Sequence, residues 1–337
     1  MNTTQDRLRD ELTATGIAQI VESVIPRIAC ELRLDMQKAL EAASAKTRDE
    51  RERMVIEQLI ANARIAAEKR VPLCQDTGSV RVLLEVGIRD SSGAGIAVPS
   101  DIFSLVDEAV ARAYSASGLR MSMVHDAFCD RSNTNDNTPA FCELYFNPQK
   151  IGASLHVMLK GGGSDNASRV VMLPPGVGIK GVKQAVLQTV IEKGAGACPP
   201  LVIGVGVGST FDKVGTLAKR ALLRPLGESA PDERLAAFEQ ELLEEVNDLG
   251  IGAGGFGGAI TALAVAVQTA PCHIASLPVA VNMGCNSLRS ISVDLEAAAD
   301  SNPGAFIEHD ISGMPEAPVA PAESSASAIS LSSGGEL

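Results

Sequence analysis

The sequence predicts a mixed α/β fold: a helical N-terminal segment, then mixed β-sheets flanked by helices, then a disordered C-terminal tail. Three observations carry this expectation. Ile17, Ile20, Val21, Val24, Ile25 and Ile28 recur at the spacing of one apolar helix face. Val80, Val82, Leu84, Val86 and Ile88 alternate with other residues, the period of a strand. Apolar runs such as 201–207 are bounded by Gly and Pro, as short buried strands are. Hydrophobic residues make up 45% of the 337-residue chain and aromatics only 3%, so the core is built from Val, Ile, Leu and Ala.

Residues 4 to about 70 read as helices. Pro26 is expected to bend or break the first of them. Thr47 and Glu50 have capping-box spacing and open a helix whose apolar face includes Met54, Leu59, Ala63 and Ala66. Arg51, Arg53 and Glu57 form its solvated face. Val71-Pro72 then turns the chain away from helix into Cys74-Gln75-Asp76-Thr77-Gly78. There a thiol stands beside an amide and a carboxylate, on a loop feeding the strand at 79–88. Ser100 is a candidate N-cap for a helix to about Ser115. Residues 130–140 form a polar loop dense in short hydrogen-bonding side chains.

Residues 141–146 and 153–159 read as strands. The second runs into Lys160-Gly161-Gly162-Gly163-Ser164, whose glycines let the backbone approach a ligand and offer N–H groups to an anion. The Gly-Lys-Ser/Thr ending of a P-loop is absent. A helix at 180–193 leads to Cys198-Pro199-Pro200 and a strand at 201–207. Gly204, Gly206 and Gly208 lack the spacing of a dinucleotide fingerprint. Helices at 210–222 and 232–249, a glycine-rich loop at 250–258, and strands at 260–267 and 277–281 follow. Cys272 and His273 lie between those last strands, and Cys285 follows them. After about Ser312 the Pro, Ala, Ser and Gly content is that of a disordered tail.

A net charge of −12 argues against a nucleic-acid or anionic-membrane partner. No signal peptide and no bilayer-spanning run is visible, so the chain reads as cytoplasmic. Seven cysteines in a reducing compartment point to buried thiols, a metal or a cluster rather than to a disulfide framework. Cys30, Cys129 and Cys142 are expected in the core. Cys74, Cys198 and Cys285 share another context, a loop beside a strand with Gly or Pro adjacent. They are too far apart for compact zinc spacing. Three thiolates would suit a cubane cluster with one iron left open.

Several segments resemble, in order, the iron–sulfur-dependent class I fumarases and the related tartrate dehydratases. They are Val71-Pro72-Leu73-Cys74-Gln75-Asp76-Thr77-Gly78, Gly118-Leu119-Arg120, Arg131 through Ala140, Lys160 through Ser164, Cys198-Pro199-Pro200, Leu223-Arg224-Pro225-Leu226-Gly227 and His273 through Ala280. The likeness is to the α subunit, or N-terminal half, of those enzymes. It implies that Cys74, Cys198 and Cys285 hold a [4Fe-4S] cluster. It also implies that Gln75, Arg120 and Gly163 bind substrate, that Asp76 and His273 handle the proton, and that a separate β subunit supplies the rest of the site. The implied reaction is reversible hydration of fumarate to L-malate, with L(+)-tartrate dehydration as the alternative and a non-catalytic iron–sulfur subunit as a third reading. Ser164 and the run 277–280 favour fumarase. Asn286 and Gln268 depart from it, standing where His and Glu are expected. On this basis the chain divides into an N-terminal helical segment (1–70), a catalytic core (71–311) and the tail (312–337).

Overall fold

The computed structural model describes residues 11–295, so the tail expected at 312–337 lies outside the described residues. Among the described residues three helices come first: α1 (Ala14–Cys30), α2 (Leu34–Lys46) and α3 (Glu50–Lys69). The Thr13 side chain caps α1 by accepting from the Gly16 N–H at 2.9 Å. Pro26 sits inside α1 and does not break it. Ile25, Ile28 and Ala29 around it are buried. Burying a large aliphatic side chain is worth roughly 1.5–3 kcal/mol, enough in sum to offset the roughly 3 kcal/mol of an interior proline.

The α3 helix departs from its expected start and face. Asp49, not Thr47, is its cap, accepting from the N–H groups of Arg51 and Glu52. Its buried positions are Glu52, Ile56, Ala63 and Ala66, while Met54 is exposed. A carboxylate occupies the place the apolar stripe assigned to a hydrophobe, and this rotates the face. The next helix, α4 (Val106–Ala116), begins later than Ser100 predicted, because residues 100–105 turn first.

The described residues also form eight strands in two sheets: β1 (Ser79–Val86), β2 (Phe141–Phe146), β3 (Ala153–Lys160), β4 (Arg169–Leu173), β5 (Leu201–Ser209), β6 (Ala262–Cys272), β7 (Leu277–Gly284) and β8 (Arg289–Asp294). The first sheet has the order β2-β1-β3-β8 and the second β4-β7-β5-β6. Each is mixed: β1/β2 and β5/β6 are parallel, the other pairs antiparallel. The expected mixed α/β architecture with a helical N-terminal segment is thus the observed one. The sequence reading had no strand at β4 or β8. Both are short, and β8 offers only two apolar side chains, Ile291 and Val293, to signal it.

One core lies between the first sheet and α1 and α4; Val82, Leu84, Leu155, Ile17 and Val110 belong to it. A second lies between the second sheet and the helices α6 (Gly178–Lys193) and α8 (Glu233–Asp248). The short α5 (Gly162–Asn166) follows β3, and α7 (Val214–Ala221) lies on β5. The glycines of β5 serve that packing. A Cβ on Gly204 would stand 2.1 Å from the Ala218 carbonyl, and one on Gly206 would stand 2.4 Å from that of Val214. A third cluster ties α2 and α3 to Met158, Val202, Ile260 and Leu288.

Cys30 is buried, as expected, but Cys129 and Cys142 are exposed. Cys129 lies in a turn closed by the Asp126 carboxylate, and Cys142 is on the edge strand β2. No helix among the described residues is long and apolar enough to cross a membrane.

Candidate active site

Strand register decides which loops can meet. In the first sheet, Ser79 pairs with Lys160 and Leu159 with Arg289. The start of β1, the end of β3 and the start of β8 therefore share one end. In the second sheet Val202 pairs with Gly284, so the start of β5 adjoins the end of β7. The turn 285–288 crosses from β7 to β8 and joins those two ends. Four connections converge on this seam: the 74–78 loop before β1, the glycine loop after β3, the Cys198 turn before β5 and the Cys285 turn after β7.

Hydrogen bonds close the seam. The Asn286 N–H and its side-chain amide both donate to the Cys198 carbonyl, at 3.1 and 2.9 Å. The Asp76 carboxylate accepts from the Gly78 N–H at 2.9 Å and from the Gly162 N–H at 2.7 Å. Asp76 thus pins its own loop to the glycine loop. A Cβ on Gly163 would lie 3.9 Å from the Gly196 carbonyl, two residues before Cys198. Cys198 itself has φ 58°, in the left-handed region that non-glycine residues seldom adopt. Asn286 departs from the expected His, and here its amide braces the Cys198 turn.

Cys74, Cys198 and Cys285 all carry free thiols. Burial pushes the Cys198 thiol above its ordinary value, and the nearby Cys285 and Cys74 push it further in the same direction. Cys198 therefore stands in the field of both other sulfur groups. Among the described residues no three His, Cys, Asp or Glu side chains converge tightly enough to hold a single ion. Three thiols spread around one seam, lined by glycine backbone, suit a multi-iron cluster in which each thiolate meets its own iron.

Beneath the 74–78 loop lies a layer of buried polar side chains that the sequence reading did not single out as functional. The Tyr114 hydroxyl donates to the carbonyls of Thr77 (3.1 Å) and Gly78 (3.0 Å), and the Asn137 amide also donates to Gly78 at 3.1 Å. Burial drives the Tyr114 phenol far above its usual value, against the opposing pull of Arg289. Lys160 is 3% exposed and Arg289 2%. Lys160 donates to Ser164 Oγ at 2.8 Å and to the Met283 carbonyl at 2.6 Å. Burial brings its ammonium down to about 8, with Asp165 and Cys285 pulling the other way. Two signals could have marked these residues. Lys160 opens the glycine loop, and Tyr114 is one of only two tyrosines in the chain.

Gln75, Arg120 and Gly163 all lie at or beside the seam and are exposed. Thr77 donates to the Arg120 carbonyl, which places Arg120 against the 74–78 loop. Its guanidinium makes no ion pair with any described residue. His273 is different. It follows Cys272, which pairs with Ser209 at the far end of β5. At about 3.3 Å per residue, the length of β5 separates His273 from the Cys198 turn by roughly 25 Å. The structure does not bring His273 and Asp76 together within one chain, because β6 carries His273 to the opposite end of the sheet.

The family model for fumarate hydratase (fumerase) matches residues 18–294. The chain belongs to the fumarate hydratase family. The matched stretch contains the eight strands of the described residues and the three thiols of the seam. A Methanocaldococcus jannaschii protein named "Putative L(+)-tartrate dehydratase subunit alpha" is 39% identical over 276 residues, 80% of this chain and 94% of its own length. The L(+)-tartrate dehydratase subunit alpha of Escherichia coli K12 is 29% identical over 236 residues, 69% of this chain and 75% of its own. The Shigella boydii protein of the same name matches to the same extent.

Proposed function

We propose that this chain is the α subunit of an iron–sulfur hydro-lyase that interconverts fumarate and L-malate. The observation that carries the reading is the convergence of Cys74, Cys198 and Cys285 on a seam where a backbone-held carboxylate, Asp76, faces a glycine loop. Those three cysteines are the residues that would hold a [4Fe-4S] cluster. When bound, such a cluster with one iron free of protein ligand supplies a Lewis acid for an oxygen of the substrate.

The chain's own groups do the rest. Asp76 is the proton carrier. Both its oxygens are fixed by N–H donors from two loops, so the carboxylate keeps one orientation while a proton moves to or from it. Arg120 offers an unpaired guanidinium able to grip a substrate carboxylate bidentately. Gln75 supplies a neutral amide donor, and the exposed backbone at Gly163 lets a flat dicarboxylate approach closely. Hydration adds hydroxide to one alkene carbon and a proton to the other, and dehydration returns both. His273, at the far end of the second sheet, serves as a proton carrier only toward the site of a neighbouring chain.

Cys74, Gln75, Arg120, Gly163 and Cys198 are all exposed, which leaves the seam open on one side. A separate β subunit is the partner that covers it and brings further substrate-binding groups. The names of the relatives favour a second reading, L(+)-tartrate dehydration, on the same seam.

Anaerobic reconstitution with the β subunit tests the proposal. Fumarate, L(+)-tartrate and mesaconate are offered in parallel, and loss or gain of alkene absorbance is followed. Fumarate turnover fastest of the three is the expected result. Tartrate fastest transfers the assignment to the second reading. A cluster with no turnover of any dicarboxylate leaves a non-catalytic iron–sulfur subunit and refutes the enzyme. Cys198→Ser abolishes the visible iron–thiolate absorbance if the ligand assignment holds.

A further inference from the structure

Two buried cations flank the seam, one in no ion pair with a described residue and the other sharing its only carboxylate with a second lysine. Arg289 is fully buried, and its Nε and Nη1 have no hydrogen-bond partner. Lys160 occupies the next register position on β3 from the partner of Arg289, so the two side chains leave the sheet on opposite faces. The ammonium of Lys160 is hydrogen-bonded only to neutral oxygens, with Asp165 at 3.6 Å. Asp165 is shared with Lys219 at 3.2 Å and is half-exposed. Asp76 already accepts from two backbone N–H groups. Its Oδ2 lies 3.3 Å, and the Arg289 Nη2 3.6 Å, from the point a Cβ on Gly161 would occupy. Two carboxylates therefore face three cations beside the three thiols.

Burying a guanidinium with donors unused is strongly unfavourable unless an anion shares the site. Three thiolates outweigh the positive charge of a [4Fe-4S] core, so the thiolate-held assembly is a net anion. Arg289 lies four residues past Cys285, and the Met283 carbonyl that the Lys160 ammonium holds at 2.6 Å lies two residues before it. We propose that Lys160 and Arg289 are the counter-charges of that assembly, positioning residues that retain the cluster and raise its reduction potential. This rests on the proposed ligation by Cys74, Cys198 and Cys285. One-electron reduction adds negative charge to the cluster, and the two cations stabilise the reduced form more than the oxidised one.

The test uses the anaerobic αβ complex and a reductive titration with dithionite, read by electron paramagnetic resonance. Lys160→Met and Arg289→Met each disfavour reduction by on the order of tenfold, about 59 mV more negative for one electron. Lys160→Arg and Arg289→Lys keep the charge and stay near the parent potential. Neutral variants that fold but fail to load iron, while the charge-retaining ones load it, support the proposal equally. Folded, loaded neutral variants at the parent potential overturn it. Should Arg289→Met not fold, Lys160→Met against Lys160→Arg decides the outcome. A parent complex without any cluster overturns the functional reading, and this inference with it. A normal parent cluster with unshifted variants overturns this inference alone.

Discussion

Glu52→Ala tests how a helix far from the thiols holds the Cys198 turn. Glu52 is 1% exposed on α3. Its Oε1 accepts from the N–H groups of Ile260 at 2.7 Å and Ala253 at 3.3 Å. Its Oε2 accepts from the Thr47 hydroxyl at 2.6 Å and the Ala259 N–H at 3.2 Å. The glycine-rich loop wraps it closely: a Cβ on Gly258 would stand 2.3 Å from Oε1. That loop in turn supports the thiol, because the Gly254 N–H donates to the Pro199 carbonyl at 2.8 Å. Alanine leaves the buried N–H groups of Ala253 and Ile260 unpaired, each costing about 1–3 kcal/mol, so the total is about 4 kcal/mol. For a chain of this size that lowers Tm by roughly 10 °C. Glutamine keeps one oxygen for Ala253 and Ile260 and loses the bond to Ala259, so its cost is about 1–2 kcal/mol. Scanning calorimetry on the apo chain reads both variants, and iron retention on warming reads the effect on the Cys198 turn. A Tm for Glu52→Ala within about 2 °C of the parent, or equal effects of Ala and Gln, would refute the reasoning.

Gly206→Ala drives a methyl into the Val214 carbonyl and forces α7 off β5, at about 1–3 kcal/mol by urea unfolding. Gly176→Ala, with nothing within 4 Å of the new methyl, is the control and stays within about 0.5 kcal/mol; equal losses would discredit the packing argument. Glu85 makes a pH prediction. Its hydrogen bond with His156, aided by the Asn147 amide, holds its carboxyl down to about 2 in spite of partial burial. A depressed folded value contributes stability above the ordinary carboxyl range, and that contribution is lost as the pH falls toward 2. The contribution amounts to about 3 kcal/mol. Urea unfolding of Glu85→Gln therefore depends less steeply on pH between about 5 and 3 than that of the parent. Parallel pH dependences would count against the assignment.

What the sequence made legible was chemistry set by adjacent residues. The order Cys-Gln-Asp-Thr-Gly places a thiol, an amide and an acid on one short loop, and three glycines after a strand announce exposed backbone. The structure brings those loops together. The buried charges were not legible, because a periodicity argument assigns every charged side chain to the solvated face. Glu52 and Lys160 break that rule because each answers backbone groups far away in sequence, Lys160 through the Met283 carbonyl. Glu52 meets residues about 200 positions on. Arg289 lies on β8, a strand too short to announce itself.

His273 shows how a strand boundary decides which site a side chain can reach. A strand ending at 267 leaves five residues for the chain to turn back before His273, and the histidine can then be imagined near the thiols. The observed β6 runs on to Cys272, paired with β5 to its last residue. Pro271 lies inside that extension, at the register shift between the Gly208–Ala270 and Ser209–Cys272 pairs, where it has no partner residue on β5. The added residues carry His273 away from Cys198 as β5 carries its own chain away. The side chain one end of the sheet gathers is then the side chain the other end loses. Asp76, tied by hydrogen bonds to the seam itself, therefore carries the weight of the proton-transfer assignment within this chain, and His273 gains a catalytic role only where an assembly brings the far end of one sheet to the seam of another.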